Sequence, residues 1–182
     1  MKTILNSAEL KTKASKIKYF FADVDGTLTD GCTYYSSKGE ELKKFSHIDG
    51  TGFFLLKQAG IIPGIITGEN SEIVLRRAEK LQLEFCFIDI KDKYAFIKQF
   101  AKEKNCELIN FAYIGDDIND FELLKNVGMS FAPGNARPEI KKQVDICCHA
   151  FGGYGAYREA VDYLLKLKSF KLYEVSIKRD WH

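Results

Sequence analysis

The chain has 182 residues, 46% of them hydrophobic and 29% charged, with a formal net charge of +2. That length fits one domain with at most an appendage, and it is enough chain to bury a sizeable core. Near-balanced charge gives no reason to propose nucleic acid or an acidic membrane surface as partner, so a ligand has to be argued from a site.

No stretch approaches a membrane-spanning apolar run, and the segment from Met1 to Asn6 lacks a signal-peptide core. Cys32, Cys86, Cys106, Cys147 and Cys148 form no C-x-x-C pair and read as reduced thiols, so a cytoplasmic compartment is the expectation. Cys147-Cys148-His149 is set aside as a metal site, because adjacent strand residues point to alternate faces.

In chain order, residues 1–15 are polar and lysine-rich with a weak helical pattern, which predicts a surface lead-in. The aromatic, β-branched run 17–24 predicts a buried strand, broken by Gly26. Asp23 and Asp25 leave that strand on one side. Two carboxylates about 4 Å apart repel by roughly 4 kcal/mol at an effective dielectric near 20, so the pair requires a cation, a shared proton or strong hydrogen bonds; a hard ion such as Mg²⁺ fits. A strand-ending turn is the plain alternative, since Asp and Gly are turn formers.

Strand formers around Ser36-Ser37-Lys38-Gly39 predict a β-hairpin directly after this pair. Asp49-Gly50-Thr51-Gly52 opens a helix running to Ala59, and 61–66 is a strand whose paired part is expected to start near Gly64 because of Pro63. Asn70 or Ser71 is placed to cap a helix through Leu81. Strands follow at 85–88, 111–114, 129–131 and 144–147, with helices at 92–104, around Leu123 and Leu124, at 138–142 and from about Gly155 to Leu167. This alternation predicts an α/β fold with helices on both faces of a mostly parallel sheet. Ligands in such sheets sit beyond the carboxyl ends of the strands. Asp23, Asp25, Thr67, Asp116 and Asp120 all fall there.

Asp23-Val24-Asp25-Gly26-Thr27, Thr67-Gly68, Lys93 and Gly115-Asp116-Asp117-x-x-Asp120, in that order, resemble the four motifs of the haloacid dehalogenase-like (HAD) phosphatases. The resemblance implies one Rossmann-like three-layer domain over 1–182, with a core at about 16–166 and a tail at 167–182. It makes Asp23 the nucleophile that forms an aspartyl-phosphate and Asp25 the acid and base. Mg²⁺ would be held by Asp23, the Asp25 backbone carbonyl and Asp116, and Thr67 and Lys93 would hold the phosphate. Asp117 and Asp120 would orient the metal's waters or Lys93. Read singly, Thr67 is a neighbour of a helix cap, Lys93 a solvated helix lysine and Asp120 an N-cap.

Asp30-Gly31, Tyr34-Tyr35, Gly39-Glu40, Lys44-Phe45, Asp49-Gly50-x-Gly52 and Gly152-Gly153-x-Gly155-Ala156-x-Arg158-Glu159 narrow the resemblance to the capless 3-deoxy-D-manno-octulosonate 8-phosphate phosphatases. That group implies a sugar-acid phosphate as substrate and a homotetramer, with Tyr34, Tyr35 and Phe45 in the subunit contact; packing of these aromatics on their own domain is the alternative. Glu69 stands where octulosonate-type members usually carry arginine, which draws the chain toward relatives acting on nine-carbon acids. Arg77 and Lys80 could then reach a neighbour's site and bind a sugar carboxylate. A broad sugar-phosphate phosphatase, a silent oligomerisation module and a receiver-like domain are the rival readings.

Overall fold

The computed structural model describes residues 2–3 and 6–171. The expectations for the far C-terminus, from Leu172 to His182, lie outside them. Within those residues the main sheet runs β1-β9-β8-β7-β2-β5-β6. Its strands are β1 (Lys2–Thr3), β2 (Tyr19–Ala22), β5 (Ile62–Ile66), β6 (Phe85–Phe87), β7 (Phe111–Ile114), β8 (Met129–Ala132) and β9 (Ile146–Cys147). β1 pairs antiparallel to β9, and every other pairing is parallel. The hairpin β3 (Thr33–Ser36) and β4 (Gly39–Lys43) forms a separate two-stranded ribbon.

Period-two alternation along the strands divides the core. Phe20, Ala22, Ala112 and Ile114 face one cluster, with the helices α1 (Ser7–Lys16), α2 (His47–Gln58), α3 (Glu72–Lys80) and α7 (Ala156–Leu167). Tyr19, Phe21, Phe111 and Tyr113 face the other, with α4 (Lys93–Glu103), α5 (Phe121–Asn126) and α6 (Pro138–Gln143). No helix among the described residues is long and apolar enough to cross a membrane.

Several expectations are corrected. The lead-in is a docked helix: Asn6 and Glu9 form a capping box at the start of α1, and Leu10 and Ala14 are buried in the core. Pairing of β5 starts at Ile62 rather than Gly64. The Ile62 N–H bonds Lys18 O toward β2, so Pro63 faces the β6 side, where the ladder begins only at Gly64. α2 opens at His47 because Ser46 accepts from Ile48 N at 3.1 Å, which places Asp49, Gly50 and Gly52 inside the helix. Ser71 stands at the N-cap of α3, yet its side chain makes no capping bond.

Candidate active site

Three neighbouring strands, β7, β2 and β5, deliver the site residues. The ladder extends one step past β2, where Asp23 N donates to Ile114 O at 3.0 Å. The chain then turns sharply, with the N–H groups of Thr27, Leu28 and Thr29 converging on Val24 O at 3.2, 2.8 and 3.0 Å. Gly26 takes φ +83°, and a Cβ there would run into the Asp116 carboxylate. Glycine is therefore required both for the turn and for bringing the acidic loops together.

Behind the carboxylates lies a buried ion network. Lys93 is 1% exposed, and its Nζ donates to Asp23 Oδ1 and Asp120 Oδ1, both at 2.6 Å. Asp92 caps α4 by accepting from Ala95 N at 2.9 Å, which fixes the start of the helix that carries Lys93. Tyr113 donates to Asp120 Oδ1 at 2.5 Å, and Asp116 N donates to Asp120 Oδ2 at 2.9 Å. Asp120 thus has both oxygens engaged and serves to hold Lys93 and the Asp116 loop.

Charge does not balance in this network. Burial and the nearby Asp120 carboxylate hold Asp23 well above the usual carboxylate range. Burial, Asp120 and Asp117 push Asp116 up to about 7. Burial opposes the charge on Lys93, but Asp23 and Asp120 outweigh it and raise its proton affinity. Oxygens of Asp23, Asp116 and Asp120 come within 4.8 Å of one another. With Asp120 saturated, Asp23 and Asp116 remain to face a cation, and an all-oxygen, electron-rich donor set fits a hard divalent ion.

Asp25 has a different environment. Its Oδ1 accepts from Lys43 Nζ at 2.6 Å, while its Oδ2 is buried with no hydrogen-bond partner among the described residues. Thr67 is 2% exposed at the end of β5; its Oγ1 accepts from Glu69 N at 3.2 Å, leaving the hydroxyl proton to donate. Its carbonyl and N–H are both tied to the 87–90 loop, through Ile90 N and Phe87 O.

Asp117 turns away from the carboxylate cluster: it accepts from Ile118 N at 2.7 Å and pairs with exposed Arg137 at 3.5 Å. Glu69 and Lys80 are exposed. Arg77 is corrected: its guanidinium donates to Ser46 O at 2.9 Å and lies over the Phe45 ring, so it is committed inside its own chain. Phe45 correspondingly packs against the core, while Tyr34 and Tyr35 are 63% and 71% exposed.

Lys43, Tyr113 and Asn135 carried no signal in the sequence, and Glu40 stood there only as part of a family signature. Asn135 Nδ2 donates to Gly26 O at 2.8 Å, its Oδ1 accepts from Gly152 N at 2.6 Å, and Gly153 N donates to Thr27 O at 3.1 Å. A Cβ on Gly152 would collide with Gly26 O, so this glycine loop buttresses the Asp23–Thr27 turn directly. Asp49, buried in α2, accepts from Gly155 N at 3.2 Å and Arg158 N at 2.9 Å and fixes the start of α7. The two glycine-bearing signatures far apart in sequence are thus one packing unit.

Comparison with known proteins identifies the family. A family profile described as haloacid dehalogenase-like hydrolase matches residues 69–150. The 3-deoxy-D-manno-octulosonate 8-phosphate phosphatase KdsC of Salmonella typhi is 35% identical over 159 residues, covering 87% of this chain and 85% of the relative. The chain belongs to the haloacid dehalogenase-like hydrolases, as a phosphatase. Among solved structures, this hydrolase superposes on the 3-deoxy-D-manno-octulosonate 8-phosphate phosphatase of Moraxella catarrhalis with a TM-score of 0.85 and 38% identity, over 89% of this chain and 93% of that one. That crystal structure contains magnesium, phosphate and 3-deoxy-D-manno-octulosonate (KDO). A cobalt-bound form of the Haemophilus influenzae enzyme matches with a TM-score of 0.83 and 34% identity, over 86% of this chain and 92% of that one.

Proposed function

We propose that this hydrolase is a Mg²⁺-dependent phosphatase, working as one domain, that cleaves the phosphate monoester of an eight- or nine-carbon 2-keto-3-deoxy sugar acid. The observation that carries the reading is the pairing of a buried Asp23–Lys93–Asp120 network with an Asp25 carboxyl oxygen that has no partner among the described residues at the same strand end. A silent module would have no need to bury that charge.

Asp23 attacks phosphorus and the ester bond to the sugar oxygen breaks, its electron pair leaving with the sugar oxygen as Asp25 delivers a proton. Water then attacks the phosphorus of the aspartyl-phosphate, giving its proton to Asp25, and the bond from Asp23 oxygen to phosphorus breaks, releasing inorganic phosphate and the free Asp23 carboxylate. Lys93 and the Thr67 hydroxyl face the phosphate oxygens and hold them in line. Asp23, Asp116 and the Asp25 carbonyl would hold Mg²⁺, which would supply positive charge to offset the phosphate dianion.

Glu69 favours a nine-carbon acid, because the arginine usual in octulosonate-type members is absent there. The bound KDO in the Moraxella relative favours the eight-carbon acid. Exposed Tyr34, Tyr35 and Leu42 on the hairpin support a homotetramer, and five cysteines without a C-x-x-C pair suit a reducing cytoplasm.

The test is phosphate release from both sugar phosphates with Mg²⁺. Release lost in EDTA and reduced more than about 1,000-fold by Asp23→Asn is the expected outcome. A preference above about tenfold for one ester, equivalent to about 1.4 kcal/mol, assigns the sugar. Similar poor turnover of many esters would instead identify a broad phosphatase, and no release from any would refute the reading.

A further inference from the structure

We propose that Lys43 is a positioning residue for the acid–base carboxyl of Asp25, an inference that rests on the phosphatase reading. The Lys43 side chain is 2% exposed although it lies on the outlying hairpin. Its Nζ is held at 2.6 Å from Asp25 Oδ1, 3.1 Å from Glu40 Oε1 and 3.2 Å from Thr33 Oγ1. Thr33 and Lys43 are cross-strand partners in the β3–β4 ladder, so the hairpin fixes the ammonium from two sides. Glu40 in turn accepts from the Ser71 hydroxyl, which explains why Ser71 does not cap α3. The chain Asp25–Lys43–Glu40–Ser71 joins the acid–base carboxyl to the segment following Thr67.

This arrangement distinguishes the two oxygens of Asp25. An oxygen that accepts from an ammonium and, at 3.5 Å, from the Thr29 hydroxyl is the one that does not carry the proton. The proton is therefore directed to Oδ2, the buried oxygen without a partner among the described residues. Lys43 fixes the orientation in which that proton meets the leaving oxygen, and it takes no proton in the reaction itself.

The test compares kcat/KM, which reports steps only through transfer of phosphate to Asp23, for two esters. The octulosonate 8-phosphate has an alkoxide leaving group that needs protonation; p-nitrophenyl phosphate has one that does not. Lys43→Met is expected to lose about 10- to 100-fold on the sugar phosphate, part of the 10²–10⁴ that acid–base catalysis supplies. Its loss on p-nitrophenyl phosphate is expected to stay within about threefold, and Lys43→Arg to restore much of the sugar-phosphate rate. Should Lys43→Met fail to fold, Glu40→Gln, which loosens Lys43 without removing it, must show the same leaving-group dependence. Equal losses on both esters, or none, would overturn the proposal. Absence of metal-dependent release from either ester by the unaltered chain would overturn the phosphatase reading beneath it.

Discussion

Lys93 illustrates how a single buried charge is made tolerable. Desolvation alone would lower the proton affinity of an ammonium, yet two carboxylates at 2.6 Å reverse that direction. Removing one partner of such a group leaves the others uncompensated, so Lys93→Met is expected to cost about 3–5 kcal/mol in urea unfolding. Tyr113→Phe removes only the hydroxyl that donates to Asp120, and about 1.5–3 kcal/mol is expected for a bond to a charged acceptor. A Tyr113→Phe protein as stable as the unaltered chain would show that Asp120 does not depend on that bond. Tyr113 was hidden in the sequence because it sits inside an apolar run, where an aromatic reads as core; its hydroxyl gains meaning only once α4 folds over the same face. Lys43 was hidden for the opposite reason, as one lysine among several in a polar hairpin.

At the scale of elements, the strands that carry the site were legible and their supports were not. The runs ending at Asp23, Thr67 and Asp116 are continuous and apolar, as buried parallel strands require. The lead-in was misread because α1 shows the core only Leu10 and Ala14, too sparse a stripe to stand out among lysines. The role of Asp49 was equally illegible, since it depends on the start of α7 packing against α2. Asp49→Ala leaves two amide groups of the α7 start without acceptors, and about 1–3 kcal/mol is expected for each one left buried. Chemical denaturation measures it, and a loss under about 0.5 kcal/mol would mean that the amides find other acceptors.

For the whole molecule, the hairpin strands contribute no buried residue to either core cluster, and they carry three exposed large hydrophobic residues, Tyr34, Tyr35 and Leu42. Replacing Tyr34, Tyr35 and Leu42 together by serine is expected to convert a tetramer into a 20.7 kDa monomer by light scattering. A monomer before substitution would remove the shared-surface reading and leave the Lys43 contact intact, because that contact lies within one chain.

The position of β2 has a consequence for how the protein is made. Ala22 pairs with Ile65 on one side and Ile114 on the other, so the strand bearing Asp23 is finished early in synthesis and enclosed late. Until the ribosome has delivered β7, Tyr19 lacks the Phe111 ring it stacks on and Phe21 the same ring edge, and Asp23 precedes the lysine that pairs with it. Pairings of such sequence separation slow folding and lengthen the exposure of sticky surface. Nascent chains halted before residue 111 are thus the forms of this protein most in need of a chaperone.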